Sequence, residues 1–121
     1  METICLMRDI YRAIQTFEAD FQKVHRVCMN EAMLLCSLSG KRSAAEIAAI
    51  NAMSPSHTSK VIRSVEEKGF VKRVLGEQDK RKMYFELTAA GKKCLAGMKC
   101  GSVAVPEILL PVFRARCDDR E

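Results

Sequence analysis

The chain has 121 residues, of which 48% are hydrophobic and 29% are charged, and its formal net charge is +5. This length suits one domain, and the ordinary composition argues against an intrinsically disordered chain. No apolar run approaches the roughly 20 residues that a membrane-spanning helix needs, and Glu2 and Arg8 do not fit a signal peptide, so we expect a cytoplasmic protein without a membrane partner.

The excess positive charge lies in one part of the chain. Residues 54–93 contain ten of the 20 Lys and Arg residues but only five of the 15 Asp and Glu residues. The rest of the chain is therefore electrically balanced. A concentrated basic surface binds a polyanion by contacting phosphates and releasing counterions. A solvated surface would also tolerate these charges, but it would not require their concentration in one segment.

The first predicted element is a long helix over residues 4–28. Its apolar side chains recur at spacings of three and four, which places them in one stripe along the helix. The stripe contains Ile4, Met7, Ile10 or Tyr11, Ile14, Phe17, Phe21, Val24 and Cys28. A chain this small cannot cover so long a stripe by itself, so we predict that it packs against a second copy of the chain.

Two short helices follow. Asn30 is suited to cap the first of them, and Gly40 is suited to end it in a left-handed conformation. Ser43 and Glu46 have the S-x-x-E spacing of a capping box, in which each side chain accepts a hydrogen bond from the other residue's backbone amide. This spacing predicts a further helix over residues 44–52.

The helix predicted over residues 55–68 has the strongest signals in the sequence. Ser54 caps it, Pro55 occupies the first helical position, and Gly69 ends it. One face buries Thr58, Val61, Ile62 and Val65, and the other presents Ser56, His57, Ser59, Lys60, Arg63 and Ser64. Two helices joined by a tight turn, the second with a small, polar and basic outer face, are typical of a helix-turn-helix.

Two strands are then predicted, a short apolar run over 70–75 and a segment of alternating polar and apolar residues over 82–87. The polar loop 76–81 joins them, so the pair forms a wing with a basic tip. Thr88 is placed to cap a fifth helix that begins at Ala89.

The C-terminal tail, residues 103–117, is strongly apolar. Pro106 suits the start of a helix, whereas Pro111 must kink or restart one. Because an exposed apolar tail favours association, we predict that it forms dimer surface.

These elements predict a mainly α fold with a small β-wing, in which a winged helix-turn-helix is flanked by N- and C-terminal dimerisation helices. Residues 1–28 form the N-terminal dimerisation helix, 29–91 the DNA-binding core and 92–121 the C-terminal dimerisation segment. The three parts are expected to form one compact domain.

The central part of the chain resembles the MarR family of bacterial regulators. The resemblance covers residues 43–91 and rests on KGFVKR at 68–73, the D-x-R pattern of Asp79 and Arg81, and LT-x-x-G at 87–91. It implies a homodimer in which each subunit recognises half of a palindromic operator. It also implies that Asp79 orients Arg81 in the wing and that Arg81 reaches into the minor groove.

Eight side chains are predicted to contact double-stranded DNA: Ser56, His57, Ser59, Lys60 and Arg63 on the helix 55–68, and Lys80, Arg81 and Lys82 in the wing 76–82. The helix would lie in the major groove, where His57 and Lys60 can donate to guanine acceptors. Ser56, at the helix N-terminus, and Arg63 suit phosphates. The alternative for each residue is a solvated surface side chain.

The six cysteines form no C-x-x-C pair, and without a secretory signal they are better interpreted as buried free thiols than as a disulfide framework. A redox sensor remains an alternative, since an exposed thiol near positive charge is reactive. Cys5 is the candidate, followed by Cys100 or Cys117. The cysteines and the two histidines show no metal-ligand spacing, so no metal site or cofactor is predicted.

The chain lacks a Gly-rich phosphate loop, an H-E-x-x-H pattern and a nucleophile elbow, so we do not expect an enzyme. The predicted function is that of a dimeric, sequence-specific transcriptional regulator, with repression as the preferred role and activation as the alternative. A small-molecule inducer or an oxidant would add a switch to this function. The alternative is a winged-helix module for protein–protein assembly, in which the basic wing has no DNA partner.

Overall fold

The computed structural model of the chain describes residues 2–98 and 103–119, with side chains through residue 115. The elements in order are α1 (Thr3–His25), α2 (Met29–Cys36), α3 (Ala44–Asn51), α4 (Pro55–Glu67), β1 (Val71–Leu75), β2 (Met83–Leu87), α5 (Ala89–Met98), a 3₁₀ turn (Glu107–Leu109) and α6 (Leu110–Asp119). This mainly helical fold with a two-stranded wing confirms the predicted fold class. Within the described residues, no helix is both long and apolar enough to cross a membrane.

The core consists of two neighbouring apolar clusters. The larger one joins α2, α3, α4 and the wing, and its buried members include Leu34, Ile47, Val65 and Phe85. The smaller one joins α1 to α2 through Phe21, Val27 and Ala32. Phe70, Cys94 and Met98 pack against both clusters, so α1 and α5 are attached to the winged helix-turn-helix by continuous apolar packing.

Helix α4 forms as its local signals predict. The Ser54 hydroxyl accepts from the His57 amide, Pro55 is the first helical residue, and Gly69 follows the helix with a φ of 80°. The four residues of the predicted apolar face are all buried: Thr58, Val61, Ile62 and Val65. This burial orients the opposite face of α4 towards solvent.

The wing is an antiparallel pair in which Val71 lies opposite Leu87 and Leu75 lies opposite Met83. The chain between α2 and α3 adds a short third segment to it. The Arg42 amide donates to the Phe85 carbonyl at 3.0 Å, and the Phe85 amide donates to the Arg42 carbonyl at 2.8 Å. The wing is therefore attached by its backbone to the first half of the helix-turn-helix.

The predicted boundaries around α2 were wrong in three places. α1 ends at His25 rather than at residue 28, because Arg26 turns the chain with a φ of 61°. Asn30 is not the cap, since α2 has already begun at Met29 after the extended Cys28.

Gly40 does not end α2, which stops at Cys36. The Ser37 amide bonds to the carbonyls of Met33 and Leu34, and the Ser37 hydroxyl donates to the Leu34 carbonyl at 2.6 Å. These contacts satisfy the last carbonyls of the helix before the glycine is reached.

The C-terminal tail is helical in two parts, as Pro111 requires. Pro106 precedes the 3₁₀ turn, and Pro111 is the second residue of α6, where a helix needs no amide hydrogen. Ile108, Val112 and Phe113 are exposed on this segment. The described part of the tail therefore has uncovered apolar surface.

Two glycines of α5 provide a matched test of the packing between this helix and the wing. A Cβ added at Gly91 would overlap the backbone oxygen of Phe70, whereas a Cβ at Gly97 would meet nothing within 4 Å. We expect Gly91→Ala to lower the free energy of unfolding by about 3 kcal/mol. Gly97→Ala should raise it by about 0.5–1 kcal/mol, since alanine is the better helix former. Urea denaturation measures both, and equal effects of the two substitutions would contradict the close contact at Gly91.

Candidate nucleic-acid interface

The outer face of α4 presents the five side chains that the sequence predicts. Ser56, His57, Ser59, Lys60 and Arg63 are all exposed. The Ser59 hydroxyl donates to the Pro55 carbonyl at 3.1 Å, so part of its hydrogen-bonding capacity is used within the helix. Among the described residues, Lys60 and Arg63 form no ion pair. The face therefore combines small polar groups with two cations that remain free to bind a polyanion.

Ser64 does not belong to this face, although the sequence placed it there. It is half-buried, and its hydroxyl donates to the Glu31 carboxylate at 2.7 Å. Ser64 thus helps to hold α4 against α2.

A tight turn holds the tip of the wing. The Gly76 amide donates to the Lys82 carbonyl at 2.9 Å, and the Lys82 amide donates to the Asp79 carbonyl at 3.1 Å. A Cβ at Gly76 would overlap the Asp79 carbonyl oxygen, so this turn needs a glycine. The only sign of this requirement in the sequence is a glycine next to a polar loop.

Asp79 and Arg81 are in contact at this tip. One carboxylate oxygen of Asp79 accepts from the Arg81 amide at 3.0 Å and from Arg81 Nε at 3.3 Å. The Arg81 side chain is 93% exposed. An exposed ion pair contributes little stability, so the consequence of this contact is geometric: it limits the directions in which the guanidinium can point.

Acidic residues also pair with the two basic groups of β1. Arg73 makes two hydrogen bonds to Glu66, at 2.8 and 3.1 Å, and the Lys72 ammonium lies 3.4 Å from Glu86. Within the described residues, Lys80 and Lys82 form no such pair, and both are exposed. In the part of the chain that the structure describes, four of the six cations of residues 54–93 without an ion pair therefore lie on the outer face of α4 or at the wing tip, and the other two, Lys92 and Lys93, are exposed on α5.

Two further polar residues, which were not among the predicted site residues, lie next to this surface. Asn30 Nδ2 lies 3.2 Å from His57 Nε2. The Lys41 ammonium lies 3.9 Å from the Glu77 carboxylate in the turn at the wing tip. Both contacts join residues far apart in the chain, so no local sequence pattern predicts them.

A buried carboxylate fixes the position of α4. Glu31 accepts from the Cys28 amide at 2.9 Å, from the Ser64 hydroxyl at 2.7 Å and from the Lys68 ammonium at 2.8 Å. Lys68 also donates to the Arg26 carbonyl at 3.0 Å. The start of α2 and the C-terminal end of α4 thus meet at a single carboxylate, and Lys68 connects both to the residue that follows α1.

The pKa of Glu31 reflects this environment. Burial alone disfavours the charged carboxylate and acts to raise its pKa, but the hydrogen bonds from Cys28, Lys68 and Ser64 outweigh burial. Together they lower the pKa from 4.5 to about 2. The group is therefore ionised throughout the physiological range.

The prediction that the cysteines are buried was wrong for the four thiols that the structure describes. Cys36 is exposed, and Cys5, Cys28 and Cys94 are partly exposed; all four are free. Burial raises the pKa of the Cys28 and Cys94 thiols, which lowers their thiolate content. A redox role for Cys5 stays a prediction, Cys100 lies outside the described residues, and so does the side chain of Cys117. Among the described residues, no group of three or more His, Cys, Asp or Glu side chains is arranged to hold a metal ion.

Comparison with known proteins places the central segment in a known family. The model of winged helix DNA-binding domains matches residues 29–91. No curated protein sequence matches the chain.

Solved structures with the same fold include three bacterial proteins. The Staphylococcus aureus MepR–DNA complex has a TM-score of 0.70 at 19% identity, over 82% of this chain and 75% of MepR. A mutant of Escherichia coli MarR complexed with operator DNA has a TM-score of 0.67 at 18% identity, over 87% of this chain and 77% of MarR. Bacillus subtilis YusO has a TM-score of 0.61 at 23% identity, over 84% of this chain and 78% of YusO. The predicted resemblance to MarR-type regulators is thus confirmed at the level of the fold.

The Glu31 contacts predict a specific dependence of stability on pH. The pKa of Glu31 in the folded chain is lowered, so its contribution is complete above the ordinary value of 4.5 and declines as the pH falls towards 2. A shift of this size corresponds to about 3 kcal/mol at neutral pH. Glu31→Gln should therefore destabilise the chain strongly at pH 7 and about half as much at pH 3.

Urea denaturation at the two pH values measures this difference. Glu67→Gln, which alters an exposed carboxylate at the end of α4, serves as the control and should change stability little. Destabilisation by Glu31→Gln that is equal at pH 7 and pH 3 would contradict the ionised, hydrogen-bonded carboxylate.

Proposed function

The chain belongs to the family of winged helix DNA-binding domains, and from this premise we propose that it is a MarR-type transcriptional regulator that binds operator DNA as a homodimer. In this proposal α4 lies in the major groove and the wing, residues 76–82, lies in the minor groove. Residues 29–91 form the DNA-binding core, and residues 1–28 and 92–121 supply the dimer contacts. Because its partner is DNA, we expect the protein to act in the cytoplasm.

The observation that carries this proposal is the distribution of positive charge. The net charge of the chain lies in residues 54–93. Of the six cations of that segment that form no ion pair with another described residue, two lie on the outer face of α4 (Lys60 and Arg63), two at the wing tip (Lys80 and Lys82) and two on α5 (Lys92 and Lys93). Phosphate contacts by unpaired Lys and Arg supply much of the affinity of proteins for DNA. A protein–protein assembly module would need no such arrangement, so the charge distribution favours DNA as the partner.

The chemistry of α4 suits the major groove. A B-form major groove accepts one α-helix, and short side chains near the helix N-terminus allow the backbone to approach the base edges. Ser56 and Ser59 are short, whereas His57 and Lys60 reach further and can donate to base acceptors. We assign Arg63, one turn below Ser59, to a phosphate.

The wing suits the minor groove. Narrow minor grooves have an enhanced negative potential that attracts an inserted Arg. Asp79 restricts the Arg81 side chain through the two hydrogen bonds at 3.0 and 3.3 Å, which reduces the entropy lost when the guanidinium enters a groove. We propose that Lys80 and Lys82 contact the flanking phosphates.

Exposed apolar surface on α1 supports the homodimer. The exposed fractions of Ile4, Met7 and Tyr11 are 80%, 62% and 64%. These residues belong to the same apolar stripe as Phe17 and Phe21, which lie further along the helix in or against the smaller core cluster. Val112 and Phe113 of α6 are also exposed. Contiguous apolar surface of this kind marks association sites, and a second copy of the chain would cover it.

We propose that operator binding represses transcription by occupying promoter DNA, and that a small apolar inducer regulates it. An open, mostly apolar cavity of about 430 Å³ lies between α1, α2, α3 and α5. Phe21, Met33, Ile50 and Met98 are among its lining residues. A ligand there would contact helices on both sides of the link between the dimer segment and the DNA-binding core. An oxidant acting on a thiol would be a second route to the same switch.

Substitutions in α4 and the wing test the proposed DNA contacts. On a duplex that the wild-type protein retains from a random pool, Arg81→Ala should weaken binding by about five- to thirtyfold. Lys60→Ala should reduce the slope of log K against log salt concentration by about one. Fluorescence anisotropy over a salt series measures both quantities.

The matched control is Lys23→Ala, which removes an exposed lysine of α1 and should leave the slope unchanged. Thermal unfolding of each variant should match that of the wild type, because the three side chains are exposed. Wild-type affinity and slope in both Arg81→Ala and Lys60→Ala would remove this surface as the DNA interface.

A charge placed on the exposed stripe of α1 tests the homodimer. Met7→Asp should convert a dimer into a monomer, because a buried unpaired carboxylate opposes association. Thr16→Asp is the control, since nine residues of helix place it on the opposite face of α1. Sedimentation velocity at micromolar concentration distinguishes the two species. A wild-type monomer, or a dimer that Met7→Asp leaves intact, would contradict the assignment of this face.

A further inference from the structure

Asn30 and His57 form a hydrogen bond that has a chemical consequence for the proposed DNA-binding face. Asn30 is the second residue of α2, and His57 is the third residue of α4. Asn30 Nδ2 lies 3.2 Å from His57 Nε2 across 27 residues of sequence. The next residue of α2, Glu31, binds Ser64 of α4 and Lys68, the residue that follows α4. The packing of α2 against α4 therefore holds the two side chains next to each other.

The chemistry of the two groups decides the direction of this bond. A carboxamide nitrogen carries two hydrogens and accepts no hydrogen bond, so Asn30 Nδ2 is the donor. His57 Nε2 must then be the acceptor. A neutral imidazole has one donor and one acceptor nitrogen, so the ring hydrogen is on Nδ1. Asn30 thereby leaves Nδ1–H as the hydrogen-bonding group that the neutral ring can offer to a partner.

We propose that Asn30 is a positioning residue that fixes the tautomer of His57, so that His57 recognises a hydrogen-bond acceptor on a base. This inference depends on the proposed function. A ring that offers only a donor can bond to O6 or N7 of guanine, N7 of adenine or O4 of thymine, but not to the N4 amino group of cytosine. Without Asn30 the ring can present either tautomer, and this discrimination is lost.

The tautomer is measured directly, in the absence of DNA. Long-range ¹H–¹⁵N spectra of the full-length protein, labelled at its two histidines and assigned with His57→Ala, distinguish a protonated from an unprotonated ring nitrogen. We expect hydrogen on Nδ1 of His57 in the wild type at a pH where the ring is neutral. Asn30→Asp, whose carboxylate can only accept, should move the hydrogen to Nε2. Hydrogen on Nε2 in the wild type would overturn the proposal.

Base preference is then compared between variants by selection from random duplex DNA and competition with single-base operator variants. Asn30→Ala should reduce the preference for an acceptor base at one position per half-site by about three- to tenfold, within the range of a single base contact. Preference at the other positions should not change. An unchanged preference in Asn30→Ala would overturn the role in base selection.

A double-mutant cycle separates positioning from direct contact. If Asn30 acts through His57, Asn30→Ala should have no effect on base preference in the His57→Ala background. A residual effect there would show that Asn30 touches DNA itself and would overturn the positioning role. If the wild type selects no sequence, the proposed function fails together with the role in base selection, whereas the tautomer measurement still decides the direction of the Asn30–His57 bond.

Discussion

The Glu31 carboxylate is the contact on which the arrangement of the helices depends. Three donors from different parts of the chain converge on it, from the Cys28 amide, Ser64 and Lys68. A buried charge without these partners would be strongly unfavourable, so the contact permits one position of α2 relative to α4 and disfavours others. Lys68 extends the constraint to the end of α1 through the Arg26 carbonyl. The outer face of α4 therefore has a fixed orientation relative to the apolar stripe of α1.

Further close contacts fix the position of the wing relative to these helices. The backbone bridge between Arg42 and Phe85 attaches the sheet to the connection between α2 and α3. Gly91 allows α5 to approach the Phe70 carbonyl, where any side chain would collide. At the far end, the turn at Gly76 holds the wing tip. The cations of α4 and those of the wing are therefore parts of one scaffold, as the proposed simultaneous contacts in two neighbouring DNA grooves require.

The elements that could be predicted from sequence are those with local causes. Helix α4 follows from its cap, its proline and the spacing of its four buried residues, and the wing follows from strand alternation and a polar loop. The misassigned roles of Asn30 and Ser64 have causes that lie elsewhere in the chain. Asn30 has the chemistry of a cap but bonds to His57 instead, and Ser64 has the polarity of a surface residue but is held by Glu31. The close approach of Gly91 to the Phe70 carbonyl has no local signal either, because the two residues are 21 positions apart in the chain.

The central claim is that two copies of the chain together recognise an inverted repeat in DNA. Selection of the purified full-length protein against a pool of random duplexes at two salt concentrations, followed by sequencing of the retained DNA, tests it most directly. The account predicts enrichment of an inverted repeat whose half-sites lie about one helical turn apart, retained at the higher salt concentration. Salt-sensitive retention without any enriched sequence would contradict it, because the basic surface would then bind phosphates without recognising bases.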